Sequence, residues 1–292
     1  MKLGPKNFLY IGYFFILLFA GDRLMSNIIK NSIIEKSQFR YSRMYAQKAK
    51  ADLVFIGNSR GLCFYQPFIE QLTGKSTFNL SYNGLPSNLA KVLLEDYVQF
   101  NGKPKLVIIE ASMLARRKEI VATFGCYSSY SKGLENLIYD VSKSMGSFNK
   151  LLHLTRYNGE VFQRALYYVG KTDTTLLNDR VISERALNKK FEDTEKLYDT
   201  LAIADFKSMV NYCRNENIPF KIVLNPYLPI YRKEMKDVDQ FIKELSAGIK
   251  APVLDYSTAI KETNHFADYF HINKNGSMEL MQIFTRDKIF EP

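Results

Sequence analysis

The stretch Asp52-Leu53-Val54-Phe55-Ile56-Gly57-Asn58-Ser59-Arg60-Gly61 decides the fold of this 292-residue chain. Its four apolar residues, Leu53–Ile56, have the length of a strand and stop at Gly57. A short run that is apolar throughout is typical of a parallel strand covered on both faces. The loop that follows presents Ser59 at the carboxyl end of this strand, where α/β proteins bind their ligands.

Short apolar runs and helical patterns alternate along much of the chain. Further strands are predicted at 77–80, 106–109, 220–224 and 253–254. Helices are predicted at 67–72, 86–100, 199–216 and 236–249 and after Asn275. This alternation predicts an α/β domain over residues 51–292, with a parallel sheet that carries helices on both faces. Residues from about 112 to 195 lack a strong strand, and we expect them to form an insertion or lid.

The N-terminus carries an apolar and aromatic run, Phe8–Ala20, without a charged residue. Thirteen residues are short for a bilayer span, which needs ~20. We therefore expect residues 1–21 to be a signal anchor or a signal sequence, and residues 22–50 to be a juxtamembrane stalk helix. The domain would then be membrane-anchored and extracytoplasmic; a cytoplasmic protein with an apolar N-terminal helix is the alternative.

Composition narrows the function classes. The net charge of +10 suits nucleic acid, anionic lipid or an anionic cell-wall polymer. No basic helix with interleaved aromatics and no zinc-finger spacing is present, which argues against nucleic acid. Cys63, Cys126 and Cys213 are far apart and lack a C-x-x-C spacing, so they indicate neither a disulfide framework nor a zinc site. We expect three small buried side chains, and no metal or organic cofactor is implied.

A second informative stretch is Asp268-Tyr269-Phe270-His271. The carboxylate precedes the imidazole by three residues, a spacing at which it can fold back onto the ring. With Ser59, these residues supply a hydroxyl, a base and an acid that orients the base. Together they indicate a serine-type hydrolase or acyltransferase. The alternatives are that Ser59 only caps a helix, and that Asp268 and His271 form a surface turn.

Other residues are candidates for oxyanion binding. Gly84 lies in the loop after the second strand, and we expect this loop to neighbour the loop that carries Ser59. A glycine permits close approach of its backbone N–H to the place where an oxyanion forms. The amide of Ser59 or Arg60 would supply another donor, and Asn83 and Asn58 are candidate side-chain donors.

Three further polar residues have two interpretations each. Arg60, beside the serine, either binds an anionic substrate or forms a structural ion pair. Asn225, which ends the fourth strand, either contacts substrate or terminates the strand. Asp255 is interpreted as a capping or loop acid rather than the acid that orients the histidine.

From Asp52 to the C-terminus, the order of Ser59, Gly84 and Asp268-x-x-His271 resembles the SGNH (GDSL-like) hydrolase superfamily. With the apolar N-terminus it is most similar to the membrane-anchored bacterial DltD-like and polysaccharide O-acetylation branch. The resemblance implies a flavodoxin-like three-layer αβα sandwich. It also implies Ser59 as nucleophile, His271 as base, Asp268 as orienting acid and Gly84 as oxyanion donor.

Two positions depart from the family pattern. Asn58 replaces the aspartate of Gly-Asp-Ser, which is tolerable because this middle residue is not the nucleophile. The family also supplies an asparagine after the third strand, whereas residues 109–114 contain none, so that Asn83 is the candidate replacement. Loss of one oxyanion donor costs ~2.7–4 kcal/mol of transition-state stabilisation.

These observations predict an extracytoplasmic serine esterase or O-acyltransferase that acts on a cell-envelope polysaccharide. The alternative is a noncatalytic glycan-binding or assembly partner of a multispan, membrane-embedded O-acyltransferase.

Overall fold

A computed structural model describes residues 5–172, 177–188 and 200–292. The strands are β1 Leu53–Ile56, β2 Thr77–Asn79, β3 Leu106–Glu110, β4 Phe220–Leu224 and β5 Val253–Asp255. The α-helices are α1 Pro5–Ile29, α2 Arg40–Tyr45, α3 Gln66–Thr73, α4 Ser87–Asn101, α5 Lys118–Thr123, α6 Lys132–Val141, α7 Lys143–Leu151, α8 Glu160–Tyr167, α9 Glu184–Leu187, α10 Thr200–Asn215, α11 Pro229–Glu234, α12 Val238–Ile249 and α13 Lys274–Arg286. Single turns of 3₁₀-helix lie at Ser59–Cys63, Phe124–Tyr127, His153–Arg156 and Thr263–His265, and a π-helical turn lies at Lys30–Ile34.

The five strands form one parallel sheet in the order β2-β1-β3-β4-β5. Leu53 pairs with Thr77 on one side and with Leu106 on the other, which sets the register of the central strands. The chain enters the sheet at β1, adds β2 on one side, and then adds β3, β4 and β5 on the other side, as in a doubly wound sheet. The predicted fold class, an α/β flavodoxin-like sandwich with a parallel sheet and an apolar N-terminal helix, is confirmed.

Helices cover both faces of the sheet. On one face, α3 packs against α13, and their side chains join the inward side chains of Phe55 and Ile108 in one apolar cluster. On the other face, α10 packs against α4 and α12. Because side chains alternate along a strand, the neighbours Val54 and Ile109 point to this second face, and both are fully buried. Burial on both faces explains why β1 is apolar throughout.

The chain divides into two compact units. The sheet and its helices belong to the unit made of residues 47–117 and 174–292. The other unit combines residues 1–46 with 118–173. Much of the expected insertion, about 112–195, thus clusters with the N-terminal residues.

The N-terminal unit begins with α1. Residues Asn7–Ile34 form a helical stretch of 28 residues that contains an 18-residue window with a mean hydropathy of 1.5, long and apolar enough to cross a membrane. A signal sequence meets the same criterion. Residues 22–50 do not form one continuous stalk helix, since α1 ends at Ile29 and the separate helix α2 starts at Arg40. In α2, Tyr41 and Met44 are fully buried.

The carboxyl end of β1 passes very close to that of β3. A Cβ atom at Gly57 would lie 2.7 Å from Cβ of Glu110 and 3.0 Å from Cα of Gly61. Any larger residue at position 57 would push the loop that carries Ser59 away from β3. Glycine is therefore required where β1 turns into this loop.

We expect Gly57→Ala to lower the free energy of unfolding by about 1–3 kcal/mol, because the added methyl group overpacks the junction of β1 and β3. Gly248→Ala in α12 is the matched control. Its Cβ would meet only Ile203 Cγ2 at an ordinary 3.6 Å, and alanine favours the helix. Urea unfolding of both variants measures the difference. Equal stability of Gly57→Ala and the parent chain would show that the junction is not tight.

Candidate active site

The loop after β1 presents Ser59 as the first residue of a 3₁₀ turn. Asn58 fixes this turn through its side chain, which accepts a hydrogen bond from the Arg60 N–H at 2.9 Å. The Asn58 amide nitrogen donates to the backbone oxygen and the hydroxyl of Ser112, at 2.9 and 3.0 Å. Asn58 therefore caps the turn and ties it to the loop after β3, and its amide is not aimed at a substrate.

The loop before α13 orients the histidine. Oδ1 of Asp268 accepts hydrogen bonds from the backbone N–H groups of Phe270 and His271, at 2.8 and 2.9 Å. Both carboxylate oxygens lie 2.9 Å from Nδ1 of His271. A bridge between Phe266 and Ile272 closes the loop at its base. The three-residue spacing thus brings the acid onto the ring.

The histidine reaches the serine from the other end of the chain. Nε2 of His271 lies 2.8 Å from Oγ of Ser59. With Nδ1 protonated, the ring donates to Asp268 and accepts the serine O–H. This continuous chain of hydroxyl, imidazole and carboxylate is the geometry that makes a serine nucleophilic.

Asp268 is held in its charged form. Burial opposes ionisation, but the hydrogen bonds from the His271 ring and from the Phe270 and His271 amides outweigh it and lower the pKa of Asp268 below 3.8. The stability that this lowering contributes is fully present above pH 3.8 and is lost as the pH falls through the folded-state pKa. Asp268 is therefore ionised at neutral pH and stabilises a positive charge on His271.

Arg60 is a structural residue. Its Nε lies 3.3 Å from Oε1 of Glu110, in a pair whose side chains are nearly or fully buried. Its Nη1 donates to the Phe270 carbonyl at 3.2 Å, and its Nη2 donates to the Asn225 carbonyl. The guanidinium carbon stands 3.5 Å from the centre of the Tyr227 ring. Every guanidinium nitrogen thus donates a hydrogen bond within the protein, which favours the ion-pair interpretation over substrate binding by Arg60.

Asn225 belongs to the same network. Its side-chain nitrogen donates to the Arg60 carbonyl at 3.1 Å and approaches Sγ of Cys63 at 3.4 Å. It lines the cavity but is only 2% exposed. Its side-chain nitrogen therefore holds the loop after β1. Its Oδ1 has no hydrogen-bond partner among the described residues, and substrate contact by this amide stays a prediction.

A cavity of about 580 Å³ opens beside the serine. Ser59, Asp268 and His271 line it together with Gly84 and Asn83. Gly84 has a φ of +67°, a left-handed conformation that favours glycine and sets the direction of the backbone there. The amide of Arg60 already donates to Asn58, so of the two amides that follow the strand, that of Ser59 is the candidate donor.

The sequence analysis missed several residues of the site. Glu110 ends β3 and is fully buried, and its second oxygen accepts hydrogen bonds from the backbone N–H and the hydroxyl of Ser112. A glutamate that directly follows an apolar strand is the signal that could have found it. Further cavity-lining residues lack any such signal: Leu62, Leu85, Met113, Ala115, Arg117 and Phe270.

The remaining candidate groups lie outside this arrangement. Asp255 accepts a hydrogen bond from the Ser257 N–H at 2.8 Å, as expected of a loop acid. His265 lies 2.6 Å from Glu279. The three cysteines are free and buried, as predicted, and burial raises the pKa of the Cys63 thiol. Across the described ranges, no group of three or more His, Cys, Asp or Glu residues is placed to hold a metal ion.

Comparisons with known proteins add little to this geometry. One family model matches residues 144–291, and it carries no functional description. The search of curated proteins finds no match. A solved structure from Streptococcus pneumonia, provisionally described as a platelet activating factor, is similar at 11% identity with a TM-score of 0.44. That alignment covers 91% of this chain and 98% of the other. A likeness this distant carries no argument about function.

Removal of the imidazole should be visible at Asp268. We expect His271→Ala to raise the pKa of Asp268, because the side-chain hydrogen bond that lowers it is lost. The carbon-13 shift of the carboxyl group, followed by NMR against pH, measures the change. Asp52, whose pKa is lowered by its bond to Lys105, is the internal control and should titrate as before. An unchanged Asp268 titration would mean that the ring does not hold the carboxylate.

The Arg60–Glu110 pair should be needed for stability. We expect Arg60→Met to lower the free energy of unfolding by about 3–5 kcal/mol, because it leaves a buried carboxylate unpaired. Adding Glu110→Gln should restore part of the loss. Lys105→Met, which breaks an exposed pair with Asp52, is the control and should cost less than about 1 kcal/mol. A similar effect of Arg60→Met and Lys105→Met in urea unfolding would refute the structural role.

Proposed function

We propose that this protein is a membrane-anchored, extracytoplasmic serine esterase or O-acyltransferase that acts on a cell-envelope polysaccharide. The observation that carries the proposal is the hydrogen-bonded chain from Ser59 through His271 to Asp268 beside an open cavity. The apolar helix α1 supports attachment to a membrane. The net charge of +10 suits an anionic envelope polymer or lipid surface.

In the first step, Nε2 of His271 removes the proton from the Ser59 hydroxyl, and Oγ attacks the carbonyl carbon of an acyl ester. The carbonyl π electrons move to oxygen and form a tetrahedral oxyanion. Asp268 stabilises the imidazolium through Nδ1. The intermediate then collapses, the ester oxygen leaves with the proton from Nε2, and an acyl-serine remains.

The oxyanion would be held by backbone N–H groups of Ser59 and Gly84, with Asn83 as the side-chain candidate at the cavity wall. The Asn58 side chain is committed to Ser112, so it does not replace the asparagine that is lacking after β3. A site with fewer donors stabilises the transition state less. Slow hydrolysis or a dedicated transferase fits this arrangement.

In the second half of the reaction, His271 deprotonates the acceptor. A water molecule would release the acyl group as a carboxylic acid, and a sugar hydroxyl would carry it away as a new ester. Serine and histidine return to their starting forms in both cases, and the chemistry requires no metal or organic cofactor. This is the activity that the resemblance to SGNH hydrolases implies.

The second candidate is a noncatalytic glycan-binding module or an assembly partner of a multispan O-acyltransferase. The specific observation in its favour is the commitment of the Asn58 and Arg60 polar groups to the protein itself, which leaves a reduced set of oxyanion donors. In that role the cavity would bind sugar hydroxyls without ester chemistry.

Substitutions in the triad should abolish ester cleavage. We expect Ser59→Ala to reduce kcat for an activated acetyl ester by more than about 10³-fold, since the nucleophile is gone. Asp268→Asn should reduce kcat by up to about 10⁴-fold, because it favours the wrong imidazole tautomer. Asp255→Asn, which changes an acid outside the site, is the control and should keep parent activity. Cleavage by Ser59→Ala at the parent rate would remove the proposal.

A fluorophosphonate probe separates the two candidates. On the full chain, labelling at Ser59 that disappears in Ser59→Ala and weakens in His271→Ala supports the enzyme. Absence of labelling, together with glycan binding that survives Ser59→Ala, supports the noncatalytic module. Peptide mass spectrometry identifies the labelled residue.

A further inference from the structure

In the second half of α1, polar side chains are buried and apolar side chains are exposed, which is the reverse of the usual surface helix. Asp22 and Ser26 lie on one face and are about 5% exposed. Leu24 and Ile28 lie on the opposite face with 63% and 45% of their surface exposed, beside the exposed Met25. An outward apolar face and an inward polar face are what a lipid environment demands of a helix.

The buried polar face binds the rest of the N-terminal unit. The Asp22 carboxylate accepts hydrogen bonds from the N–H groups of His153 and Leu154, at 2.8 and 2.9 Å. Arg23 donates to the carbonyl of Leu151 at 3.1 Å, and its guanidinium stands 4.2 Å from the centre of the Phe19 ring. The end of the apolar run and the segment after α7 are therefore fixed to each other.

This attachment places further exposed apolar side chains beside the helix. Phe148 and Leu151 of α7 are 57% and 59% exposed, and Leu154 is also exposed. Lys150, on the same helix, stands 5.0 Å from the centre of the Tyr139 ring. Aromatic and leucine side chains together with lysine are typical of a surface that lies in the headgroup region of a bilayer.

Helix length points to the same surface. The run Phe8–Ala20 rises only about 20 Å, whereas Phe8–Ile28 rises about 31 Å, close to the ~30 Å hydrocarbon core. The exposed apolar side chains of α1 that follow Ala20 and continue to Ile28 thus supply the length that the helix needs to cross the hydrocarbon core.

We infer that the N-terminal unit is seated on the bilayer through a docking surface made of Leu24, Met25, Ile28, Phe148 and Leu151, with lipid as its occupant. The unit is then partly immersed at the boundary of headgroups and acyl chains, instead of being held off the membrane by a stalk. This inference rests on the membrane attachment in the proposed function but is independent of the triad, because it is argued from α1, α7 and the turn His153–Arg156.

The test uses the full chain in phosphatidylcholine liposomes, with an environment-sensitive fluorophore on one introduced cysteine at a time. The positions are Leu17→Cys in the apolar run, Ile28→Cys and Leu151→Cys in the docking surface, and Lys36→Cys beyond the helix as the aqueous control. The parent chain, whose three cysteines are buried, measures background labelling. Doxyl-labelled lipids quench fluorophores in the bilayer, and iodide quenches those in water.

We expect lipid quenching at positions 17, 28 and 151 to exceed that at position 36, with the order reversed for iodide. Thermal unfolding of each labelled protein verifies that the substitution leaves the fold intact. Iodide quenching at positions 28 and 151 equal to that at 36 would overturn the inference in favour of a stalk. Shielding of position 151 from both quenchers would overturn it in favour of a protein partner. Absence of lipid quenching at position 17 would overturn it because α1 would not be inserted.

Discussion

A buried guanidinium holds together the loops from which the site is built. Arg60 follows the serine, pairs with Glu110 at the end of β3, and donates to the carbonyls of Asn225 and Phe270. Because the pair is shielded from water, its partners are strongly constrained, and loss of either charge would leave the other without compensation. Arg60 also joins the two loops that carry Ser59 and His271, residues that lie 212 positions apart in the chain.

The parallel sheet makes that arrangement possible. All carboxyl ends of its strands meet at one edge, so loops after β1, β3 and β4 converge although they are distant in sequence. The close passage of Gly57 over Glu110 brings the serine loop within reach of the buried pair. A change at this junction of β1 and β3 would therefore alter the packing of the strands, the buried Arg60–Glu110 pair and the position of Ser59 together.

The N-terminal unit follows a different physical rule. In the sheet-bearing unit, the apolar side chains of the strands point inward, and the buried charges of Arg60 and Glu110 are paired with each other. At the end of α1, Asp22 and Ser26 are buried on one side of the helix, and Leu24 and Ile28 are exposed on the opposite side. Such an arrangement is costly in water and stable against lipid. The helical stretch ends at Ile34 and α2 starts at Arg40, so residues 22–50 do not form one continuous helix.

The sequence by itself determined the parallel sheet, since short runs such as Leu53–Ile56 have the composition of strands that are covered on both faces. It also determined the contact between Asp268 and His271, because a spacing of three residues suffices to bring the carboxylate onto the ring. Only the tertiary structure decided what Arg60 and Asn225 do. Their partners lie up to 210 positions away in the chain, and a guanidinium beside a serine has the same local pattern whether it meets a substrate or Glu110. Residue spacing in the sequence therefore predicts contacts within a loop, such as that of Asp268 with His271. Whether a charge such as that of Arg60 is buried depends on distant segments that pack around it.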